Sequence, residues 1–338
     1  MKIKQLKIDE ALVPYRFADR FDEVNWRTKY GTDYNFIQGL IPKIHKFLDR
    51  SIRAVTFDGD NLSAVIGISG GLDSSLAAWL TAETMRQAKK DKSAKDTRLV
   101  LLAFKGTNEE DLAYARKFAR VLRAGFDDIK IEYQERDITR LLNEINNCTD
   151  GLVISTRSQK VYPGDLPIRL IDCMVLEYAN KSGHCSIDST NRSEVALGEL
   201  ALGTGAECAP VADFYKSQVF DLAEIMGLPE FTLSRQPINS ALGCGKIASY
   251  FGEVPRDFTP REIYRVLDPV LFSIYDKGYS PAQVAESFGH STKFTEKIHR
   301  WVKSQDYKRQ KSSFSFENLD KGEIKEFMET SLLQTKAG

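Results

Sequence analysis

The order of apolar and polar residues along the chain predicts strands that alternate with helices. Apolar runs at residues 64–68 and 98–104 are short enough for buried strands, and residues 128–133 alternate in the manner of a half-buried strand. Residues 183–189 form a fourth strand-like run. Between these runs, apolar residues recur at intervals of three and four, which is the spacing of one helix face.

The helical segments are recognised by one apolar face each. They are predicted at residues 34–48, around 76–85 with an end near 89–92, at 108–123, 138–145 and 168–179, and, after the last strand, at 259–267, 281–288 and 294–302. Strands that alternate with helices specify a doubly wound parallel sheet. The predicted fold class is therefore α/β, with three layers (α/β/α) and a helical C-terminal extension.

One predicted strand ends in the most informative motif of the chain. The run Val65-Ile66-Gly67-Ile68 leads into Ser69-Gly70-Gly71-Leu72-Asp73-Ser74-Ser75 and then into an apolar helical stripe. A glycine turn at a helix N-terminus presents backbone N–H groups and small hydroxyls, which suit a polyphosphate. The motif of this chain lacks the Gly-Lys-Ser/Thr ending of a Walker loop and does not match Gly-x-Gly-x-x-Gly. A plain turn is the alternative, and the strand–turn–helix order favours a nucleotide site.

Asp73 lies inside this motif, and two roles are open to it. A carboxylate beside bound phosphates can hold the metal ion that those phosphates carry. An aspartate in the first turn of a helix can also act as a simple helix-stabilising charge. We favour the metal, because a phosphate loop creates a demand for a cation.

Composition excludes several classes of protein. The 338 residues carry a formal net charge of zero and are 42% hydrophobic, which argues against broad electrostatic binding of nucleic acid. No apolar run reaches the length of a membrane span, and Met1-Lys2-Ile3-Lys4 leads into charged sequence rather than a signal peptide. We expect a cytoplasmic protein without a membrane partner.

The cysteines indicate neither a disulfide framework nor a structural zinc site. They are odd in number and never spaced as Cys-x-x-Cys, which favours reduced thiols that serve mostly as small core residues. Only the last of them, between two glycines, is placed for exposure. The five are Cys148, Cys173, Cys185, Cys208 and Cys244.

Several further motifs follow the glycine loop in order. They are Ser189-Thr190-Asn191-Arg192-Ser193-Glu194, Pro210-Val211-Ala212-Asp213-Phe214-Tyr215-Lys216-Ser217-Gln218-Val219 and Gly227-Leu228-Pro229. This set resembles the ammonia-dependent NAD synthetases, whose Ser-Gly-Gly-x-Asp-Ser loop occurs in ligases that cleave ATP to AMP and pyrophosphate. The closing Ser304–Arg309 stretch resembles the basic C-terminal segment of that family. The resemblance covers residues 35–311 and leaves 1–34 as an extension of unknown role and 312–338 as a tail.

The resemblance implies a reaction and a set of roles. A carboxylate of nicotinic acid adenine dinucleotide (deamido-NAD) attacks the α-phosphorus of ATP, and ammonia then displaces AMP. By correspondence, Asp73 and Glu194 hold Mg²⁺, and Lys216 adds positive charge at the reacting phosphorus. The residues expected to bind the nucleotide are Ser69, Gly70, Gly71, Asp73, Ser74, Ser75, Ser189 and Lys216, and those expected to bind the acceptor are Arg169, Asn191 and Glu207.

The acceptor half matches the family less well than the ATP half. Gly-Thr-Gly-Asn of the family becomes Asp188-Ser189-Thr190-Asn191, and its acidic run loses one aspartate and has Glu207 in place of the other. Arg169 matches the first of two family arginines, and Ile171 replaces the second; a buried pair of Arg169 with Asp172 is the rival interpretation. Another carboxylate acceptor therefore stays open.

The expected nitrogen source follows from the residues, whereas the expected assembly state follows from the resemblance. A glutaminase needs a nucleophilic cysteine, and residue 2 is Lys, so we expect free ammonia or a separate ammonia-supplying partner. The homodimer is implied by the resemblance alone.

After Pro237, residues 237–257 are rich in Gly, Ser and Pro, which is typical of a mobile lid.

Two other functions stay open from the residues. Sulfur transfer uses a similar adenylate and requires an accessible thiol, for which Cys208 and Cys244 are the candidates. Residues 280–289 and 295–301 resemble a helix-turn-helix, so His290, His299 and Lys297 could meet DNA phosphates. The neutral net charge favours instead a helical hairpin that packs on the catalytic domain.

Overall fold

The computed structural model describes residues 34–56, 60–106, 109–148, 165–201, 203, 205–235 and 259–309. Its centre is a four-stranded parallel sheet in the order β3–β2–β1–β4. The strands are β1 (Asn61–Gly67), β2 (Asp96–Lys105), β3 (Lys130–Asp137) and β4 (Cys185–Ile187). The predicted parallel α/β fold is confirmed.

Alternate side chains of the central strands enter two separate cores, which is why these strands are apolar almost throughout. On β1, Ala64 and Ile66 face one core, and Val65 faces the other. The same alternation holds on β2, where Leu101 and Leu102 point to opposite sides. Both faces of the sheet are therefore covered, as the three-layer prediction requires.

Helices cover the two faces and extend beyond the sheet. They are α1 (Tyr34–Thr56), α2 (Leu72–Lys90), α3 (Glu109–Gly125), α4 (Thr139–Cys148), α5 (Asp165–Ser182), α6 (Arg192–Leu197), α7 (Lys216–Ile225), α8 (Glu230–Leu233), α9 (Pro260–Leu271), α10 (Pro281–Phe288), α11 (Thr292–Ser304) and α12 (Asp306–Arg309). The buried faces of α1, α2 and α3 share the larger core, whereas α4 and α5 cover the smaller one. A π-helical turn, Phe272–Asp276, continues α9.

The predicted strand at residues 183–189 is longer than the strand that forms. β4 pairs with β1 only through Ala64–Ile66, and past Ile187 the chain turns away because Asp188 Oδ1 accepts hydrogen bonds from Thr190. Beyond β4, a single bridge joins Ile187 to Cys208. The helix predicted at 34–48 is longer than expected, since its buried face continues through Ile52.

The C-terminal helices begin at residues that the sequence marks clearly. Thr259 and Ser280 cap α9 and α10, each with a proline in the first turn and a reciprocal Glu or Gln bond. α10 ends at Phe288 and is followed by Gly289, whose φ of +67° suits glycine. The predicted helix at 281–288 is therefore confirmed at both ends.

The cysteines correct one expectation and leave another outside the described residues. Cys185 and Cys208 are buried as predicted, whereas Cys148 and Cys173 are exposed. Both of these lie on helices that have a solvent side, so cysteine here is not confined to the core. Cys244 and the predicted lid at 237–257 lie outside the described residues. None of the described helices is long and apolar enough to cross a membrane.

Candidate active site

The serine- and glycine-rich loop lies at the carboxyl end of β1 and runs into the N-terminus of α2. Gly71 is the residue before α2 and is extended, and no side chain caps the helix at this residue. The first-turn N–H groups of a helix lack partners within the helix, so a ligand can take them. In parallel α/β sheets this is the edge where ligands bind. The predicted position of the loop is confirmed.

Gly70 brings this loop against α3 more closely than any other residue could. Its φ is +70°, and a Cβ atom built on it would lie 2.5 Å from the backbone of Tyr114 and Ala115. Both the backbone angle and the contact therefore require glycine. The packing fixes where the loop stands relative to α3.

The serine hydroxyls of the loop bind one another and the backbone. Ser69 Oγ lies 3.1 Å from Ser74 Oγ and accepts from Gly71 N at 3.2 Å. These bonds hold a compact turn, and they occupy the N–H group of Gly71 in this structure. Ser75 differs, because its side chain is fully buried and its hydroxyl makes no hydrogen bond within the described part of the chain.

Asp73 meets two residues that are far away in the chain. Its Oδ1 accepts a hydrogen bond from Asn191 Nδ2 at 3.0 Å, and its Oδ2 forms an ion pair with Lys216 Nζ. The lysine side chain is 7% exposed, so its ammonium is largely withdrawn from water. The residues that the resemblance links to ATP and Mg²⁺ therefore converge at the end of β1.

Glu194 joins the same group of residues through a helix cap. Asn191 precedes α6 and accepts from Glu194 N at 3.0 Å, while Asn191 N donates to the Glu194 carboxylate at 3.0 Å. Burial and, to a smaller extent, the nearby Asp73 carboxylate together raise the pKa of Glu194 to about 8, against the opposing effect of Lys216. A buried glutamate beside a second carboxylate favours a bound cation.

A carboxylate that sequence analysis missed positions Lys216. Asp268 on α9 is fully buried and accepts from Ser193 Oγ at 2.7 Å and from Ser217 N at 2.8 Å. Ser193 Oγ in turn accepts from Lys216 N at 2.8 Å. Asp268 was findable, since it lies four residues after the buried Tyr264, on the apolar face of its helix.

The basic C-terminal segment holds the other end of α6. Lys308 Nζ donates to the carbonyls of Gly198 and Leu200, and Arg309 donates to the Ala196 carbonyl at 2.9 Å. Cations at carbonyl groups of a helix C-terminus are favourable. The family-like segment therefore supports the helix that carries Asn191 and Glu194 rather than lying apart from the site.

The predicted acceptor residues are less closely grouped. Asn191 binds Asp73, as described above, whereas Arg169 is exposed near the start of α5. Ser189, which was expected to bind the nucleotide, lies half-buried in the loop after β4. The rival interpretation required Arg169 to be buried, and its exposure contradicts that requirement. Glu207 accepts from Ser186 N at 2.8 Å and from Ser186 Oγ at 3.0 Å, so in this structure it binds the edge strand β4. Acceptor binding by these residues stays a prediction.

Two residues of the alternative functions are buried. Cys208 is 2% exposed and does not offer the accessible thiol that sulfur transfer requires. His290 is 8% exposed and its ring lies 4.5 Å from that of Phe294, so it does not present a nitrogen to a DNA phosphate. α10 and α11 pack on each other and on the larger core as a helical hairpin.

The loop at residues 69–75, which we call the phosphate loop, lies at the end of β1 beside the charges of Asp73, Glu194 and Lys216. This arrangement is typical of α/β proteins that bind a nucleotide. Comparison with known families narrows this class. The model of the family described as NAD synthase matches residues 40–312, and the chain belongs to that family.

Curated relatives share this assignment over most of their length. The NH3-dependent NAD(+) synthetase of Methanocaldococcus jannaschii is 24% identical over 276 residues, which covers 81% of this chain and 95% of the relative. That of Methanopyrus kandleri is 28% identical over 279 residues, covering 80% and 88%. The chain therefore spans nearly all of these enzymes.

Solved structures show the same fold. The NMN synthetase of Francisella tularensis superposes with a TM-score of 0.57 at 21% identity, covering 83% of this chain and 98% of that one. The NH3-dependent NAD synthetase of Campylobacter jejuni, in complex with nitrate, superposes with a TM-score of 0.56 at 17% identity, covering 84% and 100%.

Proposed function

We propose that this protein is an ATP-dependent ligase that converts the carboxylate of deamido-NAD into the amide of NAD with ammonia. The family membership supports the reaction, and the meeting of Asp73, Glu194 and Lys216 beside the loop at 69–75 is the structural observation that carries it. In the first step, a carboxylate oxygen bonds to the α-phosphorus and pyrophosphate leaves. In the second, ammonia adds to the acyl carbon, AMP leaves and a proton is lost.

The residues of the site would hold the leaving pyrophosphate and neutralise charge, and the reaction would not need a strong side-chain base. The N–H groups at the start of α2 and the hydroxyls of Ser69 and Ser74 would bind the pyrophosphate. The Lys216 ammonium would offset the charge that builds on the α-phosphate as oxygen atoms crowd around it. Its burial strengthens that effect, because fewer water molecules screen it.

We also propose that Mg²⁺ binds with ATP through Asp73 and Glu194. The described residues contain no group of three or more metal-ligating side chains. Two carboxylates still fit this ion, since Mg²⁺ commonly takes one or two of them and completes its shell with phosphate oxygens and water. When bound, it would neutralise phosphate charge.

The test is to mix the enzyme with ATP, Mg²⁺, ammonium and one carboxylate, and to quantify AMP, ADP and the amide. Deamido-NAD is the expected acceptor, and nicotinic acid mononucleotide is the comparison because a protein of this fold is named an NMN synthetase. We expect equal amounts of AMP and NAD, and no product with glutamine in place of ammonium. Release of ADP would contradict the reaction, whereas AMP with another acid alone would change only the acceptor.

We propose a homodimer as the working assembly. Its support is the family resemblance, and the exposed apolar residues Leu141 on α4 (43% exposed) and Ile168 on α5 (45% exposed) are the positions chosen for the test. Sedimentation velocity tests it. We expect a dimer that Ile168→Glu weakens, and a fully active monomer would contradict the proposal.

A further inference from the structure

Arg235 joins the phosphate loop to α3, although no motif pointed to it. Its Nη1 donates to the carbonyl of Ser69 at 2.9 Å, and its Nη2 forms an ion pair with Asp111 in the first turn of α3. The guanidinium carbon lies 4.3 Å from the ring centre of Tyr114, also on α3. The side chain is 6% exposed. One buried arginine therefore contacts both sides of the junction where Gly70 approaches α3.

The carbonyl that Arg235 holds belongs to the same peptide unit as the N–H of Gly70. A trans peptide is planar, and its C=O and N–H point in opposite directions. The structure has no cis peptide among the described residues. Fixing the Ser69 oxygen therefore also fixes the direction of the Gly70 N–H, which is one of the donors expected to bind the polyphosphate. The contact of Gly70 with Tyr114 and Ala115 fixes its position, and Arg235 fixes its orientation.

We propose that Arg235 is a positioning residue for ATP, which orients the first peptide of the phosphate loop by tying it to Asp111. The inference rests on the proposed ATP site and not on the identity of the acceptor. Arg235 acts through the loop, because one Nη group is taken by Ser69, the other by Asp111, and a face of the guanidinium by Tyr114. Arginine suits this task, since its planar fork can bind two acceptors at fixed directions.

The experiment measures the affinity of the non-cleavable analogue α,β-methylene-ATP with Mg²⁺ by calorimetry, in the absence of any acceptor. The variants are Arg235→Gln, Arg235→Lys, Asp111→Asn and the double variant Arg235→Gln/Asp111→Asn. We expect Arg235→Gln to weaken binding by about tenfold, as the loss of a charged hydrogen bond predicts. Arg235→Lys should lose part of this, because an ammonium can bind Ser69 or Asp111 but does not have the rigid fork. The double variant should bind no more weakly than Arg235→Gln alone.

Arg86 provides a matched control. It donates to the Gly125 carbonyl at 3.0 Å, pairs with Glu83 and lies 4.1 Å from the ring centre of Phe126, so its contacts are of the same three kinds. It is thirteen residues beyond Asp73 on α2, or about 20 Å along the helix. Arg86→Gln should leave the affinity within about twofold of the wild type. Urea unfolding of every variant checks the fold.

Three results would overturn the role of Arg235. The first is an affinity of Arg235→Gln as close to the wild type as that of Arg86→Gln. The second is an equal loss of affinity when Arg235→Gln is made in the wild type and in Asp111→Asn, which would mean that Arg235 contacts the nucleotide directly. The third is full rescue by lysine. Failure of the wild type to bind the analogue would instead refute the proposed ATP site, and binding without amide formation would refute only the acceptor.

Discussion

Replacing Gly70 by alanine tests the contact that places the phosphate loop. A Cβ atom there would lie 2.5 Å from backbone atoms of α3, and ordinary contact begins at 3.4 Å. The loop must therefore move by about 1 Å, which is enough to cost a site on the order of 10²-fold in rate. The left-handed φ costs an alanine about 1–2 kcal/mol, and overpacking adds about 1–3 kcal/mol. We expect a loss of stability of about 2–5 kcal/mol.

Gly227→Ala separates these two effects. Gly227 has a φ of +71°, nearly that of Gly70, and a Cβ atom there would meet nothing within 4 Å. It should lose only about 1–2 kcal/mol of stability. Urea unfolding gives the stabilities, and acceptor-dependent exchange of pyrophosphate into ATP gives the activity of the folded protein. Equal losses for the two variants, with exchange preserved in both, would refute the close approach of the loop to α3.

Three further predictions concern the charged residues of the site. Glu194→Gln should keep the cap of α6 but abolish exchange. Because the pKa of Glu194 is raised to about 8 from an ordinary value of 4.5, the stability of the wild type should fall as pH rises between these values. Urea unfolding at a series of pH values should give a flatter dependence of stability on pH for the variant than for the wild type. An equally steep curve would contradict this. Lys216→Met should lower the exchange rate by about 10²–10³-fold, and a loss below about tenfold in the folded variant would remove Lys216 from the reaction. Arg309→Gln removes the bond to the Ala196 carbonyl and should cost about 1.5–3 kcal/mol of stability together with part of the exchange activity. Arg140→Gln is the control, since the Arg140 side chain is 94% exposed, and it should change neither quantity. Equal effects of the two substitutions would contradict the support of α6 by Arg309.

The sequence could predict the sheet and the ATP end of the site because their signals are local. The strand before Ser69, the glycine turn and the first turn of α2 are contiguous, so hydrophobic periodicity and turn chemistry place them together. Neighbouring parallel strands then bring residues after β1 and β4 to the same edge. For this reason Asp73 and Asn191, which are 118 positions apart, could both be assigned to one site.

The supporting contacts could not be predicted in the same way. The bond from Ser193 to Asp268 spans 75 positions, and that from Arg235 to Ser69 spans 166. No periodic pattern encodes such a pair, because even a residue whose burial can be predicted, such as Asp268, does not reveal its partner in a distant segment. The length of β4 was overestimated for a related reason: an apolar run shows that residues can be buried, and pairing with a neighbour decides how many form a strand.

The bonds from Lys308 and Arg309 to the end of α6 have a consequence for biosynthesis. The residues proposed to bind the nucleotide are translated more than ninety positions before these two, yet α6 lacks its C-terminal support until both have left the ribosome. We expect a nascent chain that is still missing them to be unable to consume ATP. Activity would then begin only when translation has passed Arg309, so that an interrupted product is inert.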